Sequence, residues 1–141
     1  MQKLPLIVLF TYTATEKIIS FGDFKVAILL QPLPHWAIIF LIYTLPVMEI
    51  MAVILLLFKR TTDIGFIASV VLLSAFTVYA GLAWANLLPA TACPCGGLIG
   101  HVTWPVHFFI NLSFLALAVW GLDRVRRKPV QRVGDTIKQI V

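Results

Sequence analysis

The chain has 141 residues, of which 60% are hydrophobic and only 12% charged, with a formal net charge of +5. A soluble domain carries about a quarter charged residues, and the mean hydropathy here is +0.97. Those figures exclude an ordinary soluble domain and point to an all-α integral membrane protein. Residues 37–48, 50–58, 64–92 and 108–122 hold no charge at all, and a helix needs roughly 20 apolar residues to cross the hydrocarbon core. Four spans follow, at about residues 4–20, 35–58, 64–88 and 104–122. They make one bundle over residues 1–122, with residues 123–141 as a basic tail.

The first span is short, about 25 Å at 1.5 Å per residue. Lys3 followed by "LPLIVLF" resembles the start of a signal peptide, but no small-x-small cleavage site follows, so the segment is expected to remain as a span. Glu16 and Lys17 stand near its far end. As sequence neighbours they point about 100° apart on a helix, which argues against a pair between them. Glu16 is expected to meet another helix and Lys17 to extend outward to the interface. "FGDFKVAILLQPLPHW", residues 21–36, is too polar at its start and too proline-rich at its end to span. Phe24, Ile28 and Gln31 share one helical face, so a short helix lying at the outer interface is expected there.

The second span contains Pro46, which removes a backbone donor, and Glu49. A carboxylate at that depth costs about 2.5 to 3.5 kcal/mol on insertion scales, so Glu49 should face protein or water, or carry a proton. The third span carries Ser69, Ser74, Thr77, Tyr79, Trp84 and Asn86 among small residues such as Ala80, Gly81 and Ala83 that permit close helix contact. In the fourth, Trp104, His107 and Asn111 fall at i, i+3 and i+7, on one stripe.

Between the third and fourth spans lies "ATACPCGGLIGHVTWPVH", residues 90–107, with both cysteines of the chain. Cys93 and Cys95, one residue apart, reach at most roughly 7 Å when extended, and a disulfide wants its Cα atoms about 4.4 to 6.8 Å apart. Closure is feasible but tight, and Pro94 stiffens the ring. Such a bond gives itself up readily, and so short a loop makes a poor staple. The spacing favours redox chemistry. Gly96 and Gly97 allow a sharp turn and a close approach by a partner. Thr103 suits an N-cap and Pro105 the first turn of the fourth helix, whose positive end would lower a nearby thiol's pKa, with His107 able to supply charge or move a proton. A metal site is the rival: Cys93, Cys95, His101 and His107 make a two-sulfur, two-nitrogen set suited to Zn or Cu. The bland readings stay open too. His107 and Asn111 can serve as interhelical hydrogen-bonding residues, and Trp84 and Trp104 as interface anchors.

Basic residues set the expected orientation. Lys3, Lys59 with Arg60, and Arg124, Arg126, Arg127 and Lys128 all fall on one side of a four-span chain, which the positive-inside rule makes cytoplasmic, along with both termini. The cysteine segment then faces the periplasm, where disulfides persist. The tail suits anionic lipid headgroups better than nucleic acid.

Four stretches taken together, "EKIISFGDFKVAILLQPLP", "TLPVMEI", "CPCGGLI" and "WPVHFFIN", resemble the methylamine-utilisation MauE family, grouped with DoxX-like four-helix membrane proteins, in its Bacteroidota-type members. The resemblance implies a bacterial inner-membrane protein linked to periplasmic disulfide formation, acting beside a thioredoxin-like partner. It implies a bundle like that of vitamin K epoxide reductase, with Cys93 and Cys95 as the redox pair. Glu49, Trp104, His107 and Asn111 match recurrent polar positions, and by analogy a quinone would sit among the helices near Glu49 and Trp84. The function expected is thiol–disulfide redox support for a partner protein. The alternative is a non-enzymatic subunit or chaperone whose Cys-Pro-Cys segment holds a metal or a structural turn.

Overall fold

A computed structural model describes residues 2–87 and 103–140, except for the side chains of residues 129–132. Five α-helices run in order: α1 (Lys3–Ile19), α2 (Phe21–Leu29), α3 (His35–Leu57), α4 (Thr62–Trp84) and α5 (Trp104–Ile140). No strand occurs among the described residues. Helices α3, α4 and α5 are long and apolar enough to cross a membrane, and the bent α1–α2 pair makes a fourth candidate if counted as one span. The protein is an all-α helical membrane protein.

The helices turn back on one another. Lys3 Nζ at the start of α1 donates to the Leu56 carbonyl near the end of α3, at 3.1 Å, so these two helices run antiparallel. The chain bends by 91° between α1 and α2. Phe24 and Ile28 of α2 then pack on Ile38 and Ile42 of α3. Gln31 is buried as well, so the stripe expected from periodicity is the face that α2 applies to the bundle. Pro32 and Pro34 follow, and α3 begins at His35.

The α3–α4 turn is tight. Thr61 and Thr62 hydroxyls donate to the Leu55 and Phe58 carbonyls at 3.0 and 2.8 Å. At Gly65 a Cβ would fall 2.8 Å from the Leu56 backbone nitrogen, so only glycine allows the two backbones this close approach. Leu6, Phe10, Ala52, Leu56, Phe66, Leu73 and Ala118 form the main core. Ser69 and Thr77 are buried on α4, each hydroxyl satisfied by the carbonyl one turn earlier. The outer surface is apolar, with Val8, Phe40, Val47, Val71, Val78 and Phe109 all exposed. In a membrane protein this is the lipid-facing surface.

Two boundaries differ from expectation. The third span was expected to reach residue 88, but α4 ends at Trp84. Asn86 adopts a left-handed conformation, φ 55°. Its N–H bonds the Ala83 carbonyl at 3.1 Å, and that of Leu87 bonds the Leu82 carbonyl at 3.0 Å. That double bond pattern is a Schellman stop, and asparagine tolerates the left-handed residue it requires. At the other end, the basic tail continues α5 without a break to Ile140. A helix of 37 residues is about 55 Å long, well beyond the roughly 30 Å of hydrocarbon core. Where it passes Leu122, Arg124 lies 5.0 Å over the Trp120 ring and Arg127 pairs with Asp123 at 2.8 Å.

Candidate functional site

Two polar groups of side chains are set into this apolar frame. The deeper one joins α1 to α3. Lys17 Nζ donates to Glu49 Oε1 at 2.8 Å, and both side chains are 1% exposed. The expectation that Lys17 extends outward is therefore corrected: it turns into the bundle. The geometry of antiparallel helices explains why. Side chains lean toward their own helix N-terminus, so Lys17 leans back along α1 while Glu49 leans the opposite way along α3, and the two converge. The Phe24 and Phe76 rings stand 5.8 and 6.0 Å from the ammonium and add a favourable ring quadrupole to its surroundings. Glu49 faces protein, as expected. Glu16, expected to meet another helix, instead lies beside Tyr12 on its own.

A small cavity of about 30 Å³ adjoins the pair, lined by Phe10, Thr13, Lys17, Glu49, Phe76 and Asn111, with Leu9 and Leu73 completing it. Glu49 Oε2 and Asn111 Nδ2 are buried with no hydrogen-bond partner. The Thr13 hydroxyl donates to the Phe10 carbonyl at 3.3 Å and also lies within reach of the Glu49 carboxylate. Asn111, expected on a stripe with Trp104 and His107, belongs to this deeper group.

The second group lies where α4 ends and α5 begins. The amides of Val106 and His107 donate to the Thr103 carbonyl at 3.1 and 3.3 Å, which places Thr103 at the cap position ahead of the helix, with Pro105 in the first turn. His107 is buried at 8% exposure. Its ring lies 6.4 Å from that of Trp104, which in turn meets Tyr79 of α4 edge-on at 6.1 Å. Trp84 is half-exposed and packs on Phe108 and Phe109 at 5.7 and 5.9 Å.

Cys93, Pro94, Cys95, Gly96, Gly97 and His101 lie outside the described residues. Among the described residues no three His, Cys, Asp or Glu side chains gather as a metal site. Glu49 lines a cavity of about 30 Å³ among the described residues, and Trp84 does not line it.

The family model described as "Methylamine utilisation protein MauE" matches residues 2–124. The chain belongs to the MauE family. The match covers all four apolar segments and ends as α5 enters its basic extension. No curated protein and no solved structure matches the chain. MauE membership and the apolar helices together make this a multi-pass membrane protein in contact with lipid.

Sequence reasoning missed Lys17 as a core residue. A signal was available: one lysine and one glutamate, each alone in its charge class within adjacent apolar spans. Two such costly groups are best accommodated by meeting each other.

Proposed function

We propose that this MauE protein is an inner-membrane thiol–disulfide redox protein, whose Cys93-Pro94-Cys95 segment faces the periplasm and supports disulfide formation or maturation of a partner protein. The observation that carries the reading is His107, a buried imidazole in the first turn of α5, at the end of the chain segment that holds both cysteines. A helix N-terminus favours a thiolate, and an imidazole favours it by taking up the thiol's proton. Charge supports the orientation. Lys3 reaches the end of α3, the turn with Lys59 and Arg60 follows directly, and Gly121 of α5 abuts Phe66 near the start of α4. All the basic clusters thus share one end of the bundle, which the positive-inside rule makes cytoplasmic.

In the exchange, a thiolate of one protein attacks the disulfide of the other and passes through a mixed disulfide. Two electrons move to the reduced pair, and two protons leave the oxidised one. His107 is suited to take or return one of them. A thioredoxin-like or thiol-bearing periplasmic protein is the partner this chemistry calls for.

The test is a thiol-trapping redox titration of the full chain in glutathione buffers, repeated with Cys93→Ser and Cys95→Ser. The reading predicts reversible titration above roughly −250 mV, with one single variant accumulating a mixed disulfide in cells. Thiols that stay reduced, resist alkylation and are released by a chelator would replace it with the metal-binding subunit.

A further inference from the structure

An apolar bundle does not readily tolerate a polar atom without a partner, and an ionised one least of all. Two such atoms, Glu49 Oε2 of α3 and Asn111 Nδ2 of α5, are orphaned among the described residues, and both residues line the same cavity. Glu49 is 1% exposed, and its other oxygen already holds Lys17. The first orphan lacks a donor and the second lacks an acceptor. A single molecule able to do both would satisfy them together.

Charge and size narrow the choice. The Lys17–Glu49 pair carries no net charge, whichever partner holds the shared proton. A cation entering the cavity would meet the Lys17 ammonium, and an anion would meet the Glu49 carboxylate. An apolar occupant would leave both orphans unmet. The cavity measures about 30 Å³, and one water requires roughly 10 to 15 Å³ with two to four polar partners. We propose that this cavity is an internal water site, in which one or two waters bridge Glu49 Oε2 to Asn111 Nδ2. Water serves either end of the Asn111 amide, so the assignment does not depend on how that group is turned.

The site also has a structural consequence. Helix α5 packs chiefly on α4 and meets α1 only lightly. Hydration at this point links Asn111 to the Lys17–Glu49 pair, and so ties α5 to the α1–α3 antiparallel pair across the bundle. The inference stands on the cavity alone and does not depend on the role of the cysteines.

NMR of the full chain, nitrogen-15 labelled and held in a lipid nanodisc, tests it. The Asn111 side-chain amide is assigned by its disappearance in Asn111→Leu. The expected result is a direct cross-relaxation peak between that amide and the water resonance at short mixing time. Thr13→Leu fills the cavity from α1, and it should abolish the water peak while the Asn111 amide signals remain. No water peak in the wild-type protein overturns the proposal, as does a peak of full intensity in a folded Thr13→Leu protein. If Thr13→Leu does not fold, the wild-type spectrum alone decides.

Discussion

Lys17 and Glu49, 32 positions apart in the chain, meet through a 2.8 Å hydrogen-bonded ion pair with both side chains 1% exposed. The pair joins α1 to α3 alongside the Lys3–Leu56 bond and the packing of Leu6 and Phe10 in one core with Ala52 and Leu56. Removing one partner leaves an uncompensated buried charge, at about 3 to 5 kcal/mol. Glu49→Leu and Lys17→Met should each lower the thermal unfolding midpoint in detergent strongly. The double variant should recover most of the loss, because an apolar pair of similar volume needs no compensation. A double variant as unstable as the sum of the two singles would contradict the pairing.

Asn86 ends α4 in a left-handed conformation. Glycine adopts that conformation without penalty, while a Cβ-bearing residue that lacks a local hydrogen bond pays about 1 to 2 kcal/mol. Asn86→Gly should therefore match or exceed the wild type in thermal unfolding, and Asn86→Ala should fall below it. Equal midpoints for the two would mean that the Schellman stop contributes nothing.

Gly121 lies directly against the Phe66 ring, so that an added Cβ would collide with it. Overpacking of this kind costs about 1 to 3 kcal/mol. Gly121→Val should destabilise the bundle, and Phe66→Leu in the same chain should relieve part of that cost. A double-mutant cycle measures the coupling, which contacting residues show and distant ones do not.

Sidedness is open to direct labelling. In intact cells a membrane-impermeant maleimide should modify the reduced Cys93 and Cys95. With both cysteines replaced by serine, a Lys59→Cys variant should react only after permeabilisation. The reverse pattern would invert the orientation that the positive-inside rule assigns.

Much of the fold was legible from the residues alone, because the properties involved are local. The length of an apolar run decides whether a helix can cross the bilayer, and basic residues at the ends of those runs set which ends lie together. The face made by Phe24, Ile28 and Gln31 followed from helical period, and the cap at Thr103 from residue type. Asn86 could have been read as a helix stop, but the apolar Leu87 and Leu88 that follow it carry the span's composition past the point where the helix ends.

The polar interior was a different matter. Lys17 and Asn111 each looked like an ordinary residue on its own helix, one bound for the interface and the other for a stripe with His107. That Lys17 pairs with Glu49 and that Asn111 lines the same cavity depends on the depth and rotation of three helices that only packing defines. Sequence by itself determined that this is a helical membrane protein with its basic ends together and its cysteines in one connection. The tertiary structure decided that Lys17 and Glu49 pair in the interior beside a small cavity that Asn111 also lines, since contacts between helices far apart in the chain have no local signature.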